Sequence, residues 1–141
     1  MDQYKDYADI GLQVNGDDLY QLYYNATIGM LKMIMDMSRV RELNKVKISA
    51  EGKSKEEALV NFLNEVLKQV NENNLQIATV KITYADLSRI EAELVGDEYN
   101  RNKHLKKGTI KRVAFHDVLI KKKALEINGP LVWHTQLHFA V

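Results

Sequence analysis

The sequence predicts an α+β fold in which two helices pack on a largely antiparallel sheet. Two observations carry that prediction. Apolar residues switch between a period of two and a helical period in the order strand, helix, strand, helix, and a run of strands follows. Serine and aspartate caps stand immediately before both helical stretches. The length of 141 residues suits one domain, 1–141, around one core.

In chain order, Ala8, Ile10, Leu12 and Val14 alternate as a half-buried strand, and Asn15-Gly16-Asp17-Asp18 turns the chain. Asp18 with Gln21 three residues on forms a capping box for a helix running to about Asp36. Leu19, Leu22, Tyr23, Ala26, Met30, Met33, Ile34 and Met37 form its main apolar stripe. A second stripe of Tyr20, Tyr24, Thr27, Leu31 and Met35 implies that another element covers the far side. The methionines read as adaptable core filler. Val46–Ala50 is a short strand. Ser54 and Glu57 cap a strongly amphipathic helix through Leu59, Phe62, Leu63, Val66, Leu67 and Val70, which ends at the polar Asn71–Asn74.

Strands are expected over roughly 75–84 and 87–96, then a basic loop over 97–108. A further strand is expected from Ile110 to about Ile120, with Val113, Phe115 and Leu119 on one face. Asn128-Gly129-Pro130 marks a hairpin-like turn before a last strand carrying Leu131, Trp133, Leu137 and Phe139. No internal repeat is legible.

Charge is polarised although the net is only +1. Residues 1–36 hold six Asp against two Lys, whereas 101–123 hold nine Lys or Arg against one Asp. Arg101, Lys103, Lys106, Lys107, Lys111 and Arg112 are therefore a candidate contact surface for phosphate or carboxylate groups. No aromatic interleaves them, so base stacking is not expected. His104 reads as a solvated or phosphate-facing member of this loop, and His116 as a core histidine.

Zero cysteines exclude disulfides, zinc ribbons and thiol nucleophiles. The glycine-rich phosphate loops and the serine-hydrolase elbow are missing as well. His134 and His138 share a strand face, yet four residues separate them by about 13 Å, too far to chelate one metal together. No catalytic residue is expected. No stretch approaches the length of a membrane span, and the opening residues are not a signal peptide, so a cytoplasmic protein is expected.

Four blocks, taken together, resemble the archease family. They are Asp6-Tyr7-Ala8-Asp9-Ile10-Gly11-Leu12, the stretch from Met30 through Asp36-Met37-Ser38, Phe62-Leu63-Asn64-Glu65-Val66-Leu67, and Lys111-Arg112-Val113-Ala114-Phe115-His116. The family patterns are His-Thr-Ala-Asp-Ile-Gly, Met-Thr-Asp-x-Ser, Trp-Leu-x-Glu-Leu-Leu and Lys-Ala-Val-Thr-Tyr-His, in that order.

The resemblance implies a non-catalytic helper of an RtcB-type RNA ligase in tRNA splicing, promoting the ligase's guanylylation and turnover. It also implies a divalent cation, Ca²⁺ or similar, held by the opening aspartate and an acid at the chain end. Carried over, the opening aspartate is Asp9, the mid-helix aspartate is Asp36, and the late lysine and histidine are Lys111 and His116. The family's terminal acid is replaced by Ala140, which leaves Asp9 and the α-carboxylate of Val141 as a weak or absent metal site. The family's opening histidine is Asp6 here, and the acid expected two residues before Lys111 is Thr109. Lys103, His104, Lys107, Lys111 and His116 are the candidate partner-binding residues, for the ligase or for tRNA phosphate. The alternative is an RNA- or protein-binding module that has lost ligase activation and cation binding.

Overall fold

The computed structural model describes residues 9–115 and 118–141. Chain order is β1 (Asp9–Gly16), α1 (Leu19–Ile34), β2 (Asn44–Glu51), α2 (Lys55–Asn71), β3 (Leu75–Ala85), β4 (Arg89–Glu98), β5 (Arg112–Val113), β6 (Lys121–Ala124) and β7 (Leu131–Ala140). All pairings are antiparallel, as expected, but they form two sheets instead of one. In the first, β7 is central, with β1 on one side and β5 and β6 on the other. In the second, β4 lies between β2 and β3. Each helix touches both sheets, α1 through β1, β7 and β3, and α2 through β2, β3, β4 and β5. The fully buried Tyr23, Met30, Leu31, Phe62, Leu63, Ile77 and Phe139 fill the space between them.

Both helices start as the capping residues predict. Asp18 Oδ1 accepts from Gln21 N at 2.8 Å, and Ser54 Oγ accepts from Glu57 N at 3.1 Å. In each box the residue three positions on reaches past the cap to the preceding amide, Gln21 to Asp17 and Glu57 to Lys53.

These two starts use the same device twice, thirty-six residues apart. Gly16 and Gly52 close the strands, where a Cβ would strike the backbone of Leu22 and Ala58 respectively. Asn25 Nδ2 donates to Asn15 O, and Asn61 Nδ2 donates to Glu51 O, both at 2.8 Å.

Helix α1 stops two residues early. Met35 turns extended and bridges to Lys106, while Asp36 caps a 3-10 turn over Met37–Arg39, so Met37 leaves the helical stripe. Met30 and Met35 are core, as expected, and Met35 Sδ accepts from Ile77 N at 3.3 Å. The second stripe of α1 is covered only in part: Thr27, Leu31 and Met35 are buried, whereas Tyr20 and Tyr24 are exposed.

The strand expected from Ile110 to Ile120 does not form as one element. Only Arg112–Val113 pairs with β7, as β5, and the segment's other side is bound by side chains of α2. Asn71 Nδ2 donates to Ile110 O, Asn64 donates to Val113 O and accepts from Val113 N, and Glu56 accepts from Ile120 N. Those three α2 residues lie about two turns apart, so one helix stripe replaces a neighbouring strand. Val113, Val118 and Ile120 are buried accordingly, while Phe115 and Leu119 stand exposed. The hairpin at Asn128 forms as expected, with Asn128 at φ 62° and Ala124 opposite Leu131. No helix among the described residues is long and apolar enough to cross a membrane.

Candidate partner-binding surface

The register of β1 against β7 puts Asp9 opposite Ala140, and that of β5 puts Arg112 opposite the same alanine from the other side. Lys111 N donates to Ala140 O at 2.7 Å. The opening block, the late basic block and the chain end thus meet at one corner of the first sheet. The carried-over pairing of Asp9 with the chain end is consistent with this backbone register, while the Asp9 side chain, Asp6 and His116 fall outside what the structure describes. Ala140 is buried at 4% exposure, and Val141 packs against the core.

Among the described residues this corner offers no group of three acids or histidines able to hold a metal ion. Arg112 and Lys111 flank it instead. A hard cation wants six to eight oxygen ligands, and cationic neighbours oppose it.

Asp36 acts locally. Its Oδ1 accepts from Ser38 Oγ at 2.6 Å and from Ser38 N at 3.1 Å. The Ser38 hydroxyl bond, helped by the Ser38 amide and by Arg39 and Lys107, holds the Asp36 carboxyl below the usual range despite some desolvation.

The basic loop is built around His104, which corrects its reading as a solvent-facing group. His104 is only 5% exposed, and its Nδ1 accepts from Asn100 N at 2.9 Å. Asn100 O in turn accepts from the amides of Lys103 and His104. Tyr99 lies against the imidazole at 6.1 Å between ring centroids and takes Lys106 Nζ at 4.6 Å from its own. An aromatic therefore does stand beside the basic run, just outside the Arg101–Arg112 window. The loop is pinned to the end of α1 by Lys107 N to Ile34 O at 3.0 Å and by the Met35–Lys106 bridge.

This arrangement leaves Lys103, Lys107 and Lys111 exposed, as expected of contact residues. Between the loop and the end of α2 lies a cavity of about 420 Å³, with Lys106, Lys111, Asn71 and Gln76 among its lining. Gln76 is buried, and its Oε1 has no hydrogen-bond partner among the described residues. Asn64, Asn71 and Gln76 were not singled out from sequence. The two asparagines one heptad apart on a helix were the available signal, and their i, i+7 spacing puts them on one face.

Residues 2–134 match the archease protein family. The chain belongs to that family. The archease of Pyrococcus abyssi is 27% identical over 124 residues, covering 86% of this chain and 87% of that one. That of Thermoplasma acidophilum is 29% identical over 114 residues, covering 81% and 79%. The fold is that of two solved archease-family structures. Protein 1598 of Methanobacterium thermoautotrophicum gives a TM-score of 0.69 at 21% identity, covering 95% of this chain and 93% of that one. An archease of Thermotoga maritima, described as a possible chaperone, gives 0.62 at 16% identity, covering 95% and 91%.

Proposed function

We propose that this archease is a non-catalytic accessory protein acting on an RtcB-type RNA ligase, promoting its guanylylation and turnover in tRNA splicing, in the cytoplasm. Family membership along nearly the whole chain supports the reading. The observation that carries it within the molecule is the corner where Asp9, Arg112 and Ala140 stand in register, beside the exposed Lys111. That corner unites two family blocks beside the exposed Lys111 and Arg112, where a partner could meet them. Lys103 and Lys107 extend the same positive surface along the loop, toward acidic ligase groups or RNA phosphate.

The role given to Lys111 and its neighbours is to bind and orient the partner. A divalent ion would supply local positive charge near Asp9, but the donors among the described residues are too few for a resident one. The test is single-turnover guanylylation of the ligase from the same organism, with and without this protein. The expected result is a faster reaction with the wild type and a smaller gain with Asp9→Ala. A ligase whose rate is unmoved by the wild-type protein would overturn the proposal.

A second reading rests on the replacement of the family acid by the buried Ala140. The chain would then bind RNA or protein without activating a ligase. Salt-dependent RNA affinity together with an unmoved ligase would favour it.

A further inference from the structure

The outer face of the first sheet carries a second group of cations, outside the basic loop. Pairing sets Lys121 opposite His134 and Lys123 opposite Val132, while β1 sets Asn15 opposite His134. Opposed residues share a face, as do residues two apart on a strand. Lys121, Lys123, His134 and Gln136 therefore project from one side. With Leu119 they line a cavity of about 450 Å³. Lys122 also lines the cavity, but it pairs with Trp133 and its Nζ lies 5.4 Å from that ring's centroid. Among the described residues none of the three lysines is ion-paired, and all are exposed.

His134 gives this face its chemistry. Its Nδ1 lies 2.7 Å from Asn15 Oδ1, and a carboxamide oxygen only accepts, so Nδ1 carries the proton and Nε2 is the nitrogen left for a ligand. Burial, then Lys123 and Lys121, hold the imidazole below its usual range, which favours its neutral form. Among the described residues, Lys123 and Lys121 on β6 are the charged groups acting on it, Asn15 on β1 and Gln136 on β7 being neutral.

We propose that this face binds a phosphate group between Lys121 and Lys123. Two lysines whose Cα atoms lie about 7 Å apart on one strand face can bring two ammonium groups to one anion, which matches a dianion better than the single charge of a carboxylate. The anion offsets the lysine charge at His134, Nε2 takes a proton from solvent, and the imidazolium becomes a third donor to the phosphate. The cavity exceeds a lone phosphate and falls in the usual range for small-ligand sites, so the phosphate anchors a larger molecule, a nucleotide or an RNA strand.

The test is an NMR titration of the His134 imidazole in the full chain from about pH 5 to pH 8. Its arms are inorganic phosphate, a nucleoside monophosphate, a short single-stranded RNA, and sodium chloride at matched ionic strength. The expected result is an upward shift of the His134 midpoint by about half a unit or more in a phosphate-bearing arm relative to chloride, roughly a threefold change in proton affinity. Lys121→Gln/Lys123→Gln abolishes the shift, with the amide spectrum reporting an intact fold. A shift with phosphate or mononucleotide assigns a small ligand, and a shift with RNA alone assigns a strand. No shift beyond that in chloride, or a shift that survives in the double variant, overturns the proposal. Because no ligase enters the measurement, its failure leaves the accessory function standing.

Discussion

Asn64 and Val113 hold each other by two hydrogen bonds: Asn64 Oδ1 accepts from Val113 N at 2.8 Å, and Asn64 Nδ2 donates to Val113 O at 3.2 Å. One carboxamide thus does for Val113 what a neighbouring strand does elsewhere. The basic block at Lys111 and Arg112 is fixed by this pair on one side and by β7 on the other.

Replacing Asn64 by alanine leaves both Val113 groups without these partners, and Val113 is buried. The expected loss is about 1–3 kcal/mol of folding stability, read by urea unfolding. Amide exchange at Val113 should accelerate more than exchange at Leu94 in β4, because the effect begins locally. Equal acceleration at both would refute the local account.

Glu56 makes the segment sensitive to acid. Burial raises the Glu56 carboxyl, but the hydrogen bond from the Ile120 amide and the nearby Lys55 outweigh it, and the net direction is downward. A carboxyl lowered on folding contributes stability that is full above its unfolded value and is lost as pH falls through the folded one. Stability should therefore decline below about pH 4.3, the unperturbed glutamate value. Glu56→Gln should flatten that decline in pH-dependent unfolding; an unchanged acid limb would exclude Glu56 as its source.

His104 and its lysine neighbours should separate cleanly. His104→Ala removes the acceptor for the Asn100 amide and a buried ring, at an expected cost of about 1–3 kcal/mol. Lys103→Glu/Lys107→Glu should change stability by no more than about 0.5 kcal/mol while weakening, under the proposed function, binding to the ligase at low salt. Thermal unfolding and binding at two salt concentrations check both. A large stability loss in the lysine variant would show that the loop charges are structural.

Titration calorimetry with Ca²⁺, Mg²⁺ and Mn²⁺ should give affinities no tighter than about millimolar, the range of sites with few charged ligands. Micromolar binding abolished by Asp9→Ala would show that the corner at Ala140 recruits further oxygen ligands.

Local rules were legible wherever the deciding atoms lie close in the chain. The Asp18 and Ser54 caps, the α2 stripe and the Asn128 turn depend on neighbours within about one helical turn. The segment after Ile110 was misread because its alternation satisfies a strand, while the groups it bonds lie dozens of residues away on α2. His104 was misread for a related reason. A histidine flanked by lysines looks solvated until the loop folds back and Asn100 and Tyr99 close around it.

The sequence by itself determined the α+β class, both helix starts, the division of charge and the family, since each is written in periodicity, capping chemistry or residue order. Only the tertiary structure decided that the strands part into two sheets, that α2 side chains stand in for a strand, and that Asp9 and Arg112 flank Ala140. Those outcomes depend on which distant backbone groups find partners once the core closes, and burial charges about 1–3 kcal/mol for each one left without.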